Sequence, residues 1–325
     1  MPELPDIEAY LEALRSRVLG EELFGIRLVH PFLLRTVEPP LEAVAGRRVV
    51  GLSRLGKRLV FEMGEGAAER GRDTPLFLVL HLMIAGRLQW LPPDAPVARG
   101  RGLAAFDFAK GTLLLTEAGK KRRASLHLLE GRAALAEMDP GGLEVLDSSL
   151  DEFVEALTAT NHTLKRALTD PHILSGIGNA YSDEILHRAR LSPFRQTGSL
   201  SPAEFERLHQ ATLAVLGDWT RKLVAEARSE FPAKVTAFRP EMSVHGKYGE
   251  PCPVCGTAVQ RIKYAENESN YCPRCQTEGR MLADRSLSRL LKADWPRTVD
   301  ELEARGRTGG GGPPAGGASA ERKLE

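Results

Sequence analysis

Four cysteines fall between positions 252 and 275, in the pattern Cys252-x2-Cys255, sixteen residues, Cys272-x2-Cys275. Each C-x-x-C turn aims two thiolates at one point, and two such pairs supply the four soft ligands that tetrahedral zinc prefers. Gly256 after the first pair and Pro273 inside the second suit such turns. Clustering in one short segment fits metal binding in a reducing compartment; a disulfide framework would spread its cysteines along the chain. Two pairs with no spare cysteine also argue against a redox motif. Four filled positions leave no place for a reactive water, so the expected Zn2+ is structural, one per chain. The residues between the pairs predict a β-hairpin, a shape that can enter a groove.

A second reactive group lies at the other end. Met1 precedes a small residue, Pro2, so aminopeptidase removal of Met1 is expected. Pro2 then carries a secondary amine. An α-amino group has a pKa of about 8, against about 10.4 for lysine, so a useful fraction is neutral at physiological pH. A following helix N-terminus disfavours a cation and lowers the value further. Such an amine is a nucleophile that forms an iminium with an electrophilic carbon. By itself an N-terminal proline more often simply begins a helix, and Glu3 beside it could serve only the helix dipole.

The elements that must hold these groups read as an α+β chain. Pro5 suits a first helical turn, Ile7, Leu11, Leu14 and Val18 share a helical face, and Gly20 is a stop. Residues 21–135 carry short apolar runs (Leu59 to Phe61, Leu76 to Leu82, Gly102 to Phe108, Thr112 to Leu115) between Gly, Pro and charged clusters, the pattern of an antiparallel sandwich or barrel. Helical spacing returns at Phe153, Leu157, Leu164 and Leu168. A glycine loop, Ser175-Gly176-Ile177-Gly178-Asn179, precedes a helix from Ala180, and another helix fits 202–228. Residues 282–304 again read as helical, with a break at Trp295-Pro296. The predicted organisation is a catalytic β-sandwich domain over 1–140, a helical domain over 141–240, a zinc finger over 241–280, a helical extension over 281–305 and a disordered tail over 306–325.

Composition excludes little. Apolar residues make up 42% and charged residues 27%, as in globular proteins, and the net charge is +1. A balanced net charge does not announce a nucleic-acid partner, because placement of charge matters more. Lys120, Lys121, Arg122 and Arg123 form a basic run that alone reads as a solvated turn. No run of about 18 apolar residues occurs, so no membrane partner is expected. Neither is a secretory signal, and the expected location is the cytoplasm.

Four motifs in order resemble the Fpg/Nei (formamidopyrimidine-DNA glycosylase and endonuclease VIII-like) family. They are Met1-Pro2-Glu3-Leu4-Pro5-Asp6-Ile7-Glu8, closer to the Fpg branch; Gly56-Lys57-Arg58 before a strand; Ile177-Gly178-Asn179-Ala180-Tyr181-Ser182-Asp183-Glu184; and His245-Gly246-Lys247-Tyr248-Gly249-Glu250-Pro251-Cys252. The resemblance implies a monomeric, bifunctional glycosylase and abasic-site lyase acting on oxidised bases in double-stranded DNA. In it Pro2 attacks the sugar C1′, Glu3 handles protons, and Lys57 contacts the phosphate beside the lesion. The Ser175–Asn179 turn would be the glycine turn of a helix–two-turn–helix motif. Its backbone amides and the Asn179 side chain would clamp phosphate, with Lys165 as a second contact.

Three departures from the family pattern bear on DNA contacts. The segment His81-Leu82-Met83-Ile84-Ala85-Gly86 places Ile84 where the family wedge has methionine. The loop near Thr116–Ser125, where the family has arginine and phenylalanine, offers Arg122 and its basic neighbours but no aromatic. At the finger tip Asn267, within Ala265-Glu266-Asn267-Glu268, replaces the expected arginine, with Arg261 and Lys263 nearby to compensate. These departures sustain an alternative: a DNA-binding member without base excision that recognises abasic sites or other damaged structures.

Overall fold

A computed structural model describes residues 1–66, 74–97, 100–118, 121–232, 235, 238–264, 267–283, 289–290 and 295–308. Helix α1 (Leu4–Val18) opens the chain, with Glu3 as N-cap and Asp6 closing a capping box. Its buried face carries Ile7, Leu11, Leu14 and Val18, the spacing read from the sequence. Eight strands follow: β1 (Glu22–Leu28), β2 (Arg47–Leu55), β3 (Arg58–Gly66), β4 (Leu76–His81), β5 (Gly86–Leu91), β6 (Gly102–Phe108), β7 (Gly111–Glu117) and β8 (Ser125–Glu130). They form one sheet in the order β5-β7-β6-β1-β2-β3-β4-β8, and every pairing is antiparallel.

Phe61 on β3 and Phe106 on β6 stack with ring centroids 6.5 Å apart. Two strands separate them in the sheet order. At about 4.8 Å per strand a flat sheet would hold them roughly 14 Å apart, so the sheet folds over and packs its apolar face on itself, as a sandwich does. Helix α1 packs into the same core through Ile7, Tyr10, Leu11 and Leu14.

After a short α2 (Gly131–Glu137) come α3 (Leu150–Thr158), α4 (Leu164–Thr169), α5 (Asn179–Ala189) and α6 (Pro202–Ser229). The apolar spacing from Phe153 to Leu168 is split between α3 and α4, because Thr163 caps a new helix by accepting the Arg166 N–H. These helices share a second core that includes Phe153, Leu164, Ile177, Tyr181 and Leu208. Helix α6 has 28 residues, about 42 Å at the α-helical rise. It contributes Leu208 and Leu216 to the second core and Leu223 and Ala227 to the first, tying the two halves together.

The hairpin β9 (Gln260–Tyr264) and β10 (Asn267–Tyr271) leads into α7 (Pro273–Thr277). Of the helical reading of 282–304, residues 282–283 are not helical, 289–290 are, the break at Trp295-Pro296 falls within non-helical 295–298, and α8 covers Val299–Thr308. It docks on the finger: Met281 donates its N–H to the Arg297 carbonyl, Val299 donates to Gly279, and Arg274 pairs with Asp300 at 2.7 Å. Leu290 is exposed, whereas Leu287, Leu291 and the tail beyond 308 lie outside the described residues. Among the described residues no helix is long and apolar enough to cross a membrane.

Candidate active site

The N-terminus of α1 meets the N-terminus of α5. Glu3 is 2% exposed, and its carboxylate accepts three backbone N–H groups: Gly178 at 2.6 Å, Ala180 at 2.8 Å and Tyr181 at 3.2 Å. The Leu4 N–H donates to the Gly176 carbonyl at 2.9 Å. Of the Ser175–Asn179 turn, the Glu3 carboxylate takes the Gly178 N–H and the Leu143 carbonyl takes the Ser175 N–H. The glycines serve the same contact. A Cβ on Gly178 would fall 2.5 Å from Glu3 Cδ, and one on Gly176, at φ +79°, would fall 2.8 Å from Leu4 Cβ.

Lys57 lies in the turn between β2 and β3 and reaches across to donate to the Ile177 carbonyl at 2.8 Å. The N–H of Glu3 donates to Asp6 Oδ2 at 3.0 Å. Pro2 is buried, and Met1 carries the terminal amine in this chain. Burial lowers the pKa of that amine. Glu3 and Asp6 oppose the shift, and Arg87 and Lys57 add to it. Burial likewise lowers Lys57, with Glu3 opposing. The Glu3 carboxyl is pushed up by burial, against Lys57 and the amides of Ala180 and Gly178. An amine, a carboxyl group and a lysine therefore share one buried junction, each biased toward its neutral form.

Arg54 braces the junction, donating to Glu8 on α1 at 3.2 Å, to Glu144, and to Ser175 of the turn at 3.3 Å. His81 ends β4 nearby. Its pKa is pushed down to about 4 by burial and by Arg58, Lys57 and His127. Reading along the sequence missed Arg54, Arg87 and His81 as site neighbours, because β-sheet pairing and not chain proximity brings them there.

Asn179 opens α5 and is half-buried. Lys165 points inward, donating to the Asn179 carbonyl at 2.7 Å and to Asp183, with 15% of its side chain exposed. Ile84 is 53% exposed at the tip of a turn closed by the Gly86 N–H on the Leu82 carbonyl. Arg122 donates to the Gly100 carbonyl, and its loop is shaped by buried Glu117, which accepts the N–H groups of Arg123 and Ala124. Lys120, Ala265, Glu266 and the Asn267 side chain lie outside the described residues; the Asn267 backbone pairs with Tyr264. Arg261 on β9 pairs with Glu268 at 3.5 Å and covers the Tyr248 ring.

Four cysteine sulfurs gather within 4.8 Å of one another. Cys252 and Cys275 are 3.9 Å apart, and Cys255 and Cys272 3.4 Å. Tetrahedral zinc with Zn–S of about 2.3 Å places sulfurs about 3.8 Å apart, so the cluster fits a structural Zn2+. His187 Nε2 lies 3.3 Å from Cys252 Sγ, an outer contact to the ligand shell.

Two acids on α5 anchor this finger. Buried Asp183 accepts from His245 Nδ1 at 2.8 Å, Ser269 Oγ at 3.2 Å and the Asn270 N–H at 3.1 Å, besides Lys165. Glu184 accepts the N–H groups of Ser243, Val244 and His245.

A junction of N-terminal amine with the α5 turn, followed by a four-cysteine hairpin, has counterparts among known proteins. The formamidopyrimidine-DNA glycosylase N-terminal domain matches residues 1–124, its H2TH domain residues 142–222, and the zinc finger found in FPG and IleRS residues 249–277. The formamidopyrimidine-DNA glycosylase of Symbiobacterium thermophilum is 32% identical over 285 residues, covering 85% of this chain and 89% of that one. The chain belongs to the formamidopyrimidine-DNA glycosylase family. A glycosylase-like protein of Mycobacterium tuberculosis is 43% identical over 151 residues, 46% of this chain and 94% of its own length. Among solved structures, the Lactococcus lactis glycosylase in complex with abasic-site DNA superposes with a TM-score of 0.72 at 26% identity, covering 85% of this chain and 99% of that one. Its complex with N7-benzyl-Fapy-dG containing DNA gives 0.73 at 27% identity, covering 85% and 100%.

Proposed function

We propose that this chain acts in base-excision repair, removing oxidised bases from double-stranded DNA and cleaving the strand at the resulting abasic site. The observation that carries the reading is the shared junction of the N-terminus, Glu3 and Lys57. With Met1 removed, the Pro2 amine is the nucleophile. Its lone pair bonds to the sugar C1′, the glycosidic C–N bond breaks, and the base leaves with that electron pair and takes up a proton. Loss of the amine proton and opening of the sugar ring, with a proton passing to the ring oxygen, give the iminium. That cation acidifies the C2′ protons, and loss of one expels the 3′ phosphate. Glu3, raised by burial, is the group suited to carry protons at neutral pH. Lys57 contacts the flanking phosphate.

A nucleotide must leave the stack for this chemistry. Ile84 is the exposed apolar group suited to wedge the gap. Asn179 and Arg122 are the side chains we assign to the DNA face, with Asn267 at the finger tip. Lys165 supports the turn from behind, through the Asn179 carbonyl. One chain carries every group of the site, and four unpaired cysteines suit a reducing cytoplasm.

Borohydride trapping on duplexes carrying 8-oxoguanine, formamidopyrimidine, an oxidised pyrimidine or an abasic site tests the reading. A covalent adduct with a lesion base that disappears in Pro2→Gly is expected. Trapping only with a preformed abasic site would favour the alternative without base excision, and no trapping on any duplex would refute the Pro2 assignment.

A further inference from the structure

Asp6 and Arg239 form a buried ion pair that joins the nucleophile's helix to a distant segment. Asp6, 2% exposed on α1, uses Oδ2 for the Glu3 N–H and Oδ1 for an Arg239 guanidinium nitrogen, both at 3.0 Å. Arg239 lies 233 residues away, between α6 and the zinc finger. Its side chain is 16% exposed, and its guanidinium carbon sits 5.8 Å from the centroid of the Trp219 ring on α6. Tyr181 of α5 packs edge-on against the same ring at 6.1 Å. Arg239 Nε and the Tyr181 hydroxyl are both buried without a hydrogen-bond partner among the described residues. A cavity of about 520 Å³ between α1 and α6 is lined by Asp6 and Arg239 together with Ala9, Leu223 and Phe231.

A buried ion pair is weak evidence for stability, because apolar residues of similar size often do as well. Its location is the informative part. The Asp6 carboxylate holds the peptide N–H of Glu3, one residue from Pro2. We propose that Asp6 and Arg239 are a positioning pair for the Pro2 amine: Asp6 fixes the Glu3 peptide beside the nucleophile, and Arg239 balances the negative charge this places there. The proposal rests on Pro2 being the nucleophile.

The groups acting on the terminal amine are Glu3 and Asp6 from α1, Lys57 from the β2–β3 turn and Arg87 from β5. Those acting on Asp6 include Arg239 and the amine itself, and burial raises its carboxyl. The signs for the two variants are opposite. Asp6→Asn is isosteric and removes the anion, leaving Arg239 as an unbalanced cation that disfavours the protonated amine. Arg239→Met keeps an unbranched side chain against Trp219 and leaves the carboxylate unbalanced, which favours the protonated amine.

The experiment is the rate of borohydride trapping on an abasic-site duplex as a function of pH, with the full-length, Met1-processed protein. The midpoint of the acid limb is expected to move down in Asp6→Asn and up in Arg239→Met, each by roughly half a pH unit or more. Arg239→Lys should keep the parent midpoint, and the double variant should return toward it. Midpoints that stay put, or that move in the same direction, while trapping persists would overturn the proposal and leave the Pro2 reading intact. Absence of trapping in the parent protein would remove both.

Discussion

Gly178→Ala tests whether the glycine turn exists to admit Glu3. Gly178 has φ −133° and ψ −156°, extended backbone that alanine adopts, so little backbone strain is involved. The added Cβ would lie 2.5 Å from Glu3 Cδ, whereas ordinary contact begins at 3.4 Å. Glu3 must retreat by about 0.9 Å, which stretches its 2.6 Å bond from the Gly178 N–H to about 3.5 Å. Overpacking of this kind costs about 1–3 kcal/mol, and a shift of about 1 Å at a catalytic group costs about 100-fold in rate. Single-turnover cleavage of an abasic-site duplex should therefore slow about 100-fold, with a drop of several degrees in melting temperature. Gly176→Ala is the control: its Cβ meets Leu4 instead, at a positive φ, so stability should fall at least as far while the rate falls less. Parent-like cleavage by a folded Gly178→Ala protein would refute the claim that this turn positions Glu3.

His81 is held neutral in the fold, with its pKa at about 4 against 6.5 for the free group. Its contribution to stability is complete above the unfolded value and is lost as pH falls through the folded one. Urea denaturation between those limits should show stability declining with pH, and His81→Asn should flatten the decline; an unchanged slope would remove His81 as its source. Asp183→Asn breaks a fully buried acceptor shared by α4, α5 and β10, a change of about 3–5 kcal/mol where a buried pair loses a partner. Hydrogen exchange should rise in the zinc hairpin before the β-sheet; uniform loss of protection would contradict the anchoring role. Zinc removal by a chelator should weaken duplex binding, and unchanged affinity in metal-free, folded protein would rule out a DNA role for the finger. Ile84→Ala should leave stability within about 0.5 kcal/mol yet slow excision from duplex more than cleavage of a single-stranded abasic site; equal effects on both would dismiss the wedge.

Local chemistry carried its signal in the chain itself. The cysteine spacing predicted the zinc cluster because each tight turn confines two sulfurs whatever surrounds it. The α1 face and α6 were legible from apolar period and caps, and Gly176 and Gly178 marked a turn. Their purpose was not legible. A glycine permits close approach without naming what approaches, and only the packing of α1 against α5 shows that Glu3, 175 residues away from Gly178, takes the Gly178 N–H. Lys165 was expected as a second phosphate contact, and only the packing shows its ammonium paired with buried Asp183 and donating to the Asn179 carbonyl. Arg54, Arg87 and Arg239 carried no motif at all. Their roles arise from strand order, from the fold of the sheet over itself, and from a linker that returns to the first helix. The sequence alone determined which groups could react and bind metal, because those properties belong to single residues and short turns. Which of them share a low-dielectric junction, and what charge each must bear there, was decided only by long-range packing.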